Sequence, residues 1–378
     1  MARPEAAQMP GMAVWNKNLI VPSDLSKLPP QEKWTYLTEF GVLAPTSHNT
    51  VPQRFRVTEK GVGVFLDRAL VLPTSDREGR QAAISIGCAT ENIVEAAKAY
   101  GMDPQVTILE KDTKNTLPGI GLVPMVAITA EATASHTFDK YRLETMKARR
   151  VNRAIYDERV PLPDALRSRI TTAVGDFDGL HLHLMNSRGM IQMFGKFQQQ
   201  ADGSVMDMPE FRKELAEWFH ANDEFDITRG MRGEDFGMVD TEERKPSQDF
   251  ARGLRGERQL LPDEIAGFAK IGREGIDKAS AVGIITAKKD DITSRINVGR
   301  AFQQIGLSLY EDDFSIAVHA ALTETSFKAI WFISEMLKRT YLKTGDHLMS
   351  VFRIGKPVYE EDRTRPHSVR PQLQELLV

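Results

Sequence analysis

The sequence has almost no cysteine. Cys88 is the single one among 378 residues, which excludes an intramolecular disulfide and any metal site built from several thiolates. Long apolar runs are missing as well, and nothing approaches the roughly 20 residues that cross a bilayer as a helix. Residues 1–18 mix charges and prolines without the apolar centre of a secretory signal. Charge of one sign is not in excess: the net charge is -3 with 27% charged residues, so no basic surface for nucleic acid is indicated. Three familiar motifs are lacking, namely Gly-x-Gly-x-x-Gly, a Walker loop and His-Glu-x-x-His. The run "GIGLVP" (Gly119–Pro124) has two glycines but no third in register. What remains is an ordinary globular composition, 41% hydrophobic. The expectation is a cytoplasmic protein with a small-molecule substrate, no nucleic-acid partner and no membrane association.

The order of structural signals runs twice along the chain. After a proline-rich stretch read as an extended arm (1–24), Trp34, Leu37 and Phe40 recur at helical spacing up to Gly41. Strands are expected at Arg54–Thr58 and Val62–Leu66, split by the turn Lys60-Gly61. A helix over 82–100, closed by Gly101, precedes strands Val106–Leu109 and Pro124–Ala130. A charged connecting helix, Lys140–Arg150, follows. Then the sequence of signals restarts: helix 164–174, strand Leu180–Leu184, helices 209–220 and 262–279, strand Ala281–Ala287, helix 295–310. The fragments "SIGCA" and "NVGRA" occupy equivalent places, and Gly87 falls in register with Gly299. Duplication and chance similarity both fit such short fragments. Residues 222–261 have no counterpart in the first half. They are rich in Gly, Arg, Asp and Glu, yet carry Phe225, Phe236 and Phe250, which suits a packed lid better than a disordered insertion.

The segment "APTSHNTVPQRFRV" (Ala44–Val57) offers hydroxyls, a carboxamide and backbone amides just before a strand. Such groups can hydrogen-bond a planar heterocycle and a polyol chain. They equally suit a plain turn between helix and strand. "ARRVNRAIYDERVPLP" (Ala148–Pro163) clusters arginines, which fits a phosphate and also a solvated basic helix face. His181 and His183 alternate with leucines and share one strand face, more in keeping with a polar outer face than with a metal site. His48 is open to two readings, a proton donor or a turn residue. Cys88 is expected to be inert core.

Taken together, these segments resemble the nitroreductase superfamily. Pro45, Thr46, Ser47, Asn49, Pro52 and Phe55 match its flavin loop Ala-Pro-Ser-x-x-Asn-x-Gln-Pro-Trp-x-Phe, with Val51 and Gln53 departing from it. Gly87, Ala89, Asn92 and Gly101 match its Gly-x-Ala-x-x-Asn helix. Arg149, Arg150 and Arg153 match its Arg-Arg-Ser-x-Arg opening, with Val151 in place of Ser. "VFRIGKP" (Val351–Pro357) and "SVRPQLQELL" (Ser368–Leu377) are similar to its closing segments. The loop occurs only in the first half and the arginine cluster only in the second, a layout that looks like the duplicated, lidded Acg-type subgroup.

The resemblance implies an α+β fold. A first half (1–139) and a second half (140–378, with a lid at 222–261) would form an intramolecular pseudo-dimer around one FMN. Pro45, Thr46, Ser47 and Asn49 would meet the ring edge and ribityl chain. Arg149, Arg150, Val151, Arg153 and Arg370, with Arg353 and Arg365 behind, would hold the phosphate. Glu324 and Thr325 would present backbone near the reactive ring nitrogen. No dedicated acid or base and no metal is implied. The implied activity is an NAD(P)H-dependent, ping-pong reduction of a small organic acceptor. The alternatives are a lid-sealed FMN-binding protein without turnover and a flavin-modifying or dehalogenating relative. The chain would act as a monomer or a homodimer.

Overall fold

The computed structural model describes residues 10–132, 138–324, 328–363 and 367–378. The described residues open with a 3-10 turn, Pro10–Asn16, that buries Trp15, so the described part of the expected irregular arm is partly folded. Then come α1 (Pro22–Leu25), α2 (Pro30–Val42), β1 (Gln53–Thr58), β2 (Gly61–Asp67), α3 (Arg80–Ala99), β3 (Met102–Ile108) and β4 (Leu122–Ala132). Pro30 starts α2 at a position where its missing N–H costs nothing. Gly101, at φ +74°, ends α3 as the sequence suggests and donates its N–H to Lys98 O at 2.8 Å. The four strands form an antiparallel sheet in the order β1-β2-β4-β3.

The chain continues through α4 (Lys140–Ala148), α5 (Asp164–Gly175), β5 (Leu180–Met185), α6 (Arg188–Met206), α7 (Pro209–Trp218), β6 (Phe219–His220), β7 (Met231–Arg232), α8 (Pro246–Leu254), α9 (Pro262–Asp277), β8 (Ala281–Ala287), α10 (Ile292–Glu311), β9 (Ser315–Val318), α11 (Lys328–Met336), β10 (His347–Gly355) and α12 (Glu360–Arg363). Here the sheet order is β5-β8-β10-β9, again antiparallel. Each sheet is preceded by a helix (α2 or α5), and each carries a 20-residue helix (α3 or α10) between its second and third strands. The fold class is α+β with two sheets of one topology.

The two long helices cross at their glycines. A Cβ on Gly87 would stand 2.0 Å from Ile296 O, and one on Gly299 would stand 1.9 Å from Ile84 O. The two positions that aligned in "SIGCA" and "NVGRA" therefore lie reciprocally against each other, where only hydrogen fits between the backbones. Around the crossing, Gln303 Nε2 donates to Asn92 Oδ1 at 2.6 Å, and Arg300 Nε donates to the buried Glu91 carboxylate at 2.8 Å.

The insertion in the second half is larger than residues 222–261. β1 and β2 are joined by a tight turn (59–60), whereas β5 and β8 are separated by residues 186–280, which hold α6 to α9. α6 starts after its N-cap Ser187, whose Oγ accepts from Met190 N at 3.4 Å, and was not expected. The inserted helices create a second apolar core on the outer face of the second sheet. Strand β8 is buried on both faces: Ala281, Ile285 and Ala287 face the main core, while Val282 and Ile284 face the second one. Within 222–261, Phe236 and Phe250 pack with Phe219 and Phe268 at centroid distances of 5.1–6.2 Å, so this segment is tied to the fold by an aromatic cluster.

Candidate functional site

A cavity of about 960 Å³ lies between the first-half loop, the 149–153 segment, the C-terminal tail and the inserted helices. Its size is near the top of the range for small-molecule sites, about 300–1,000 Å³. Pro45, Thr46, Ser47, Asn49, Arg149, Arg150, Val151, Arg153, Glu324 and Arg370 all line it. Residues more than 300 positions apart thus meet at one place.

The loop from the first half is strained. His48, Asn49 and Val51 have φ of +46°, +56° and +53°, a region that non-glycine residues, and β-branched ones above all, seldom adopt. Such strain persists only where surrounding contacts impose it. Those contacts are visible. Thr46 Oγ1 accepts from Val51 N at 3.1 Å. Asn49 Nδ2 donates to Gly230 O at 2.8 Å and to Val369 O at 2.9 Å, Gly230 N donates to Asn49 O at 3.1 Å, and Arg370 Nη1 donates to Asn49 Oδ1. Asn49, expected to meet a ligand, spends its amide on clasping the loop to the insertion and to the tail.

The tail reaches the loop because it is tied to the first sheet, where Val378 N donates to Phe55 O at 2.9 Å, and to the 3-10 turn, where Arg370 N donates to Gly11 O at 2.8 Å. The arginine segment is pinned from the other side, with Asn152 N donating to Ile316 O of β9 at 2.9 Å. The Arg149 side chain, in a residue 2% exposed, makes one hydrogen bond among the described residues, from Nη2 to Leu43 O at 3.3 Å, while its Nε and Nη1 are buried without partners. Arg150 Nη1 and Arg370 Nε are likewise buried without partners. Burial lowers the pKa of Arg149 to about 10 and that of Arg370 to about 9, and neighbouring arginines push in the same direction. His367 is driven down to about 2, first by burial and then by Arg150, Arg149 and Arg370, so it is neutral at any physiological pH. Three guanidinium groups and a neutral imidazole therefore crowd together, with Asp235 as the carboxylate that acts on Arg370 and on Arg153. Such an arrangement has an electrostatic deficit that a polyanionic ligand would fill.

Arg153 borders the cavity, with its guanidinium 4.9 Å from the centroid of the Phe236 ring. Arg353 does not line the cavity. It is buried in β10, donates from Nη1 to Ala154 O at 2.9 Å and lies 4.2 Å from the Tyr156 ring centroid, a packing role. Thr325 and Arg365 lie outside the described residues. Glu324 lines the cavity, and its carboxyl is held well above the usual range by burial and by the neighbouring Asp76. Asp76, raised to about 7, caps α3 by accepting from Gln81 N at 2.9 Å and Ala82 N at 2.8 Å.

Sequence reasoning missed several lining residues. Trp15 stacks on His367 at a centroid distance of 3.9 Å, and Arg370 lies 5.6 Å from its ring. His319, half-buried and neutral, and Gln81, Ser85 and Cys88 of α3 also line the cavity. Cys88 is buried with its thiol pushed up to about 12 and donates to Gly299 O at 3.3 Å, which makes it unreactive. His48, pushed down to about 4 by burial and Arg153, is neutral. Outside the site, His183 pairs with Thr286 Oγ1 at 3.1 Å.

No family model matches the chain, and no curated protein matches it in sequence. Solved structures do. An FMN- and NADPH-dependent nitroreductase from Sphigopyxis sp. strain HMH is 17% identical, with 63% of this chain and 97% of that one covered, at a TM-score of 0.36. A nitroreductase with bound FMN from Bacteroides fragilis is 13% identical over 58% of this chain and 90% of that one, at 0.34. A putative nitroreductase from Anabaena variabilis is 11% identical over 86% of this chain and 73% of that one, at 0.39.

Proposed function

We propose that this protein binds one FMN in the cavity and uses it as an oxidoreductase that exchanges electrons between NAD(P)H and a small organic acceptor. The observation that carries the reading is the arginine cluster: buried guanidinium nitrogens of Arg149, Arg150 and Arg370 without partners, facing a cavity beside a strained, hydroxyl-bearing loop. That donor set fits a phosphate dianion, and the neutral groups of Thr46 and Ser47 fit a polyol and a ring edge. When bound, FMN supplies the hydride and electron chemistry. The residues of the chain do the rest. Arg149, Arg150 and Arg370 hold the phosphate. Pro45 to Ser47 set the ring edge. The 222–261 segment walls the cavity from water, and donor and acceptor use the remaining space in turn. The two-sheet layout with crossed long helices is read as a duplicated nitroreductase-like fold, its halves divided near residue 139.

The test is the absorbance spectrum of the purified protein, followed by anaerobic addition of NADPH. The expected result is about one FMN per chain and prompt bleaching. Absence of flavin, even after reconstitution with FMN, would sink the reading. A second reading has its own observation: the 222–261 segment is latched to the loop and to the C-terminal tail, by Asn49 Nδ2 donating to Gly230 O at 2.8 Å and by Ser368 Oγ donating to Asp235 Oδ1 at 3.2 Å. A flavin that is bound but stays oxidised favours a sealed binding protein.

A further inference from the structure

The walls built by the inserted helices have a chemistry opposite to that of the arginine cluster. Gln198, Asp202 and Val205 share one face of α6, and Phe268, Ile271 and Gly272 share one face of α9; all of them line the cavity. Asp202 is 8% exposed, and its Oδ1 accepts from Gln198 Nε2 at 2.7 Å. Its Oδ2 lies against Gly272, where a Cβ would come within 2.2 Å, so a glycine makes room for the carboxyl. Among the described residues, no arginine or lysine acts on its ionisation. Burial alone raises its pKa to about 7, opposed only by the Gln198 bond. Gln198, 2% exposed, leaves Oε1 buried with no hydrogen-bond partner. One buried acceptor oxygen, Gln198 Oε1, thus lacks a donor beside the Asp202 carboxyl, and an unpaired buried acceptor costs about 1–3 kcal/mol.

We propose that this wall is a binding site for the ammonium group of an amphipathic amine, with Asp202 and Gln198 Oε1 as acceptors and Val205, Phe268 and Ile271 against the apolar body. The donors missing from the protein come from the ligand, and the positive charge repays the desolvation of the carboxylate. Anions are directed away, to the arginine cluster. That the amine also serves as an electron-exchange substrate rests on the flavin reading; its binding does not.

The test is calorimetric titration of the full chain at pH 8, with flavin content recorded, using three ligands that share an indole ring: tryptamine, 3-propylindole and indole-3-propionate. The expected order is tryptamine tighter than 3-propylindole by about tenfold, as one charge-assisted hydrogen bond provides, while indole-3-propionate, drawn to the arginine cluster, binds the unaltered protein and Asp202→Asn alike. In Asp202→Asn the tryptamine advantage disappears and 3-propylindole is unaffected. Absent binding of tryptamine, equal binding of tryptamine and 3-propylindole to the unaltered protein, or a tryptamine advantage that survives Asp202→Asn would each overturn the proposal. The ligand series on the unaltered protein stands whether or not the variant folds. A protein that takes up no flavin even on reconstitution with FMN, yet ranks the ligands as expected, refutes the flavin reading alone.

Discussion

Arg149→Met deletes a buried guanidinium whose Nε and Nη1 have no hydrogen-bond partner and leaves a side chain of similar length in its place. In the ligand-free fold the cation is disfavoured. The fall of its pKa from 12.5 to about 10 is caused first by burial, with Arg150 adding to it. It corresponds to about 3 kcal/mol of penalty for holding the charge there. Removing the charge lifts that penalty and loses one long hydrogen bond, to Leu43 O at 3.3 Å. The thermal midpoint of the flavin-free protein should therefore rise. FMN affinity should move the other way. A hydrogen bond to a charged group contributes about 1.5–3 kcal/mol, so FMN binds roughly 10- to 150-fold more weakly, while riboflavin, which has no phosphate, keeps its affinity. Flavin-fluorescence titration with both ligands and a melting curve of the empty protein read all three quantities. A fall in midpoint together with an unchanged FMN-to-riboflavin ratio would mean that Arg149 is a structural residue, and the phosphate assignment would fail with it.

Other consequences are as direct. Gly87→Ala or Gly299→Ala places a methyl about 2 Å from a backbone oxygen of the opposite helix; the loss, read by denaturant unfolding, should reach about 3 kcal/mol, the upper end of overpacking costs. Glu214→Ala removes the acceptor for Thr74 N at 2.6 Å, Ser75 N at 3.0 Å and Ser75 Oγ at 2.5 Å, and should lower stability by about 2–4 kcal/mol through unsatisfied buried donors. Asp202 predicts a pH dependence. Its carboxyl loses a proton near 3.8 when unfolded and near 7 when folded, so the folded state holds the extra proton in between and stability falls as pH rises across that window. Asp202→Asn should therefore stabilise little at pH 4 and by up to about 4 kcal/mol at pH 8; equal effects at both pH values in urea unfolding would contradict the burial of that carboxyl.

Much of the frame was legible in the sequence because it rests on local signals. Helical spacing of Trp34, Leu37 and Phe40 gave α2, and the Lys60-Gly61 turn gave the β1–β2 hairpin. Gly101 marked the end of α3. The paired glycines of "SIGCA" and "NVGRA" carried long-range information, since each is required by the backbone of the other helix. The site was partly legible for a different reason: guanidinium clusters and hydroxyl-rich loops are chemically unusual letters. What escaped was set by tertiary contact. Trp15 reads as part of a proline-rich arm until His367, from the far end of the chain, stacks on it. Arg353 looked like a phosphate ligand by its neighbours in sequence, yet strand alternation turns it toward Tyr156. Asn49 looked like a ligand contact, and the carbonyls of Gly230 and Val369 claim its amide. α6 was hidden because its polar residues Gln198 and Asp202 lie on the buried face, against the usual rule of amphipathicity.

The same contacts explain why a fold with two like sheets offers one such site. The connection from α2 to β1 runs over residues 43–52 and carries the strained loop, whereas α5 reaches β5 through residues 176–179. Four residues leave no chain from which to build an equivalent loop. Phe177 is instead 8% exposed, with Arg300 of α10 placed 5.0 Å from its ring. On the other side, the place equivalent to the arginine segment precedes α2 and holds α1 with Leu25 buried. Among the described residues the loop and the cluster each exist once, and the crossing of α3 and α10 at two glycines, with the tail's tie to the first sheet, goes with their meeting at one cavity. A titration that found two flavins per chain would contradict this geometry, since the second would lack both the loop and the guanidinium groups.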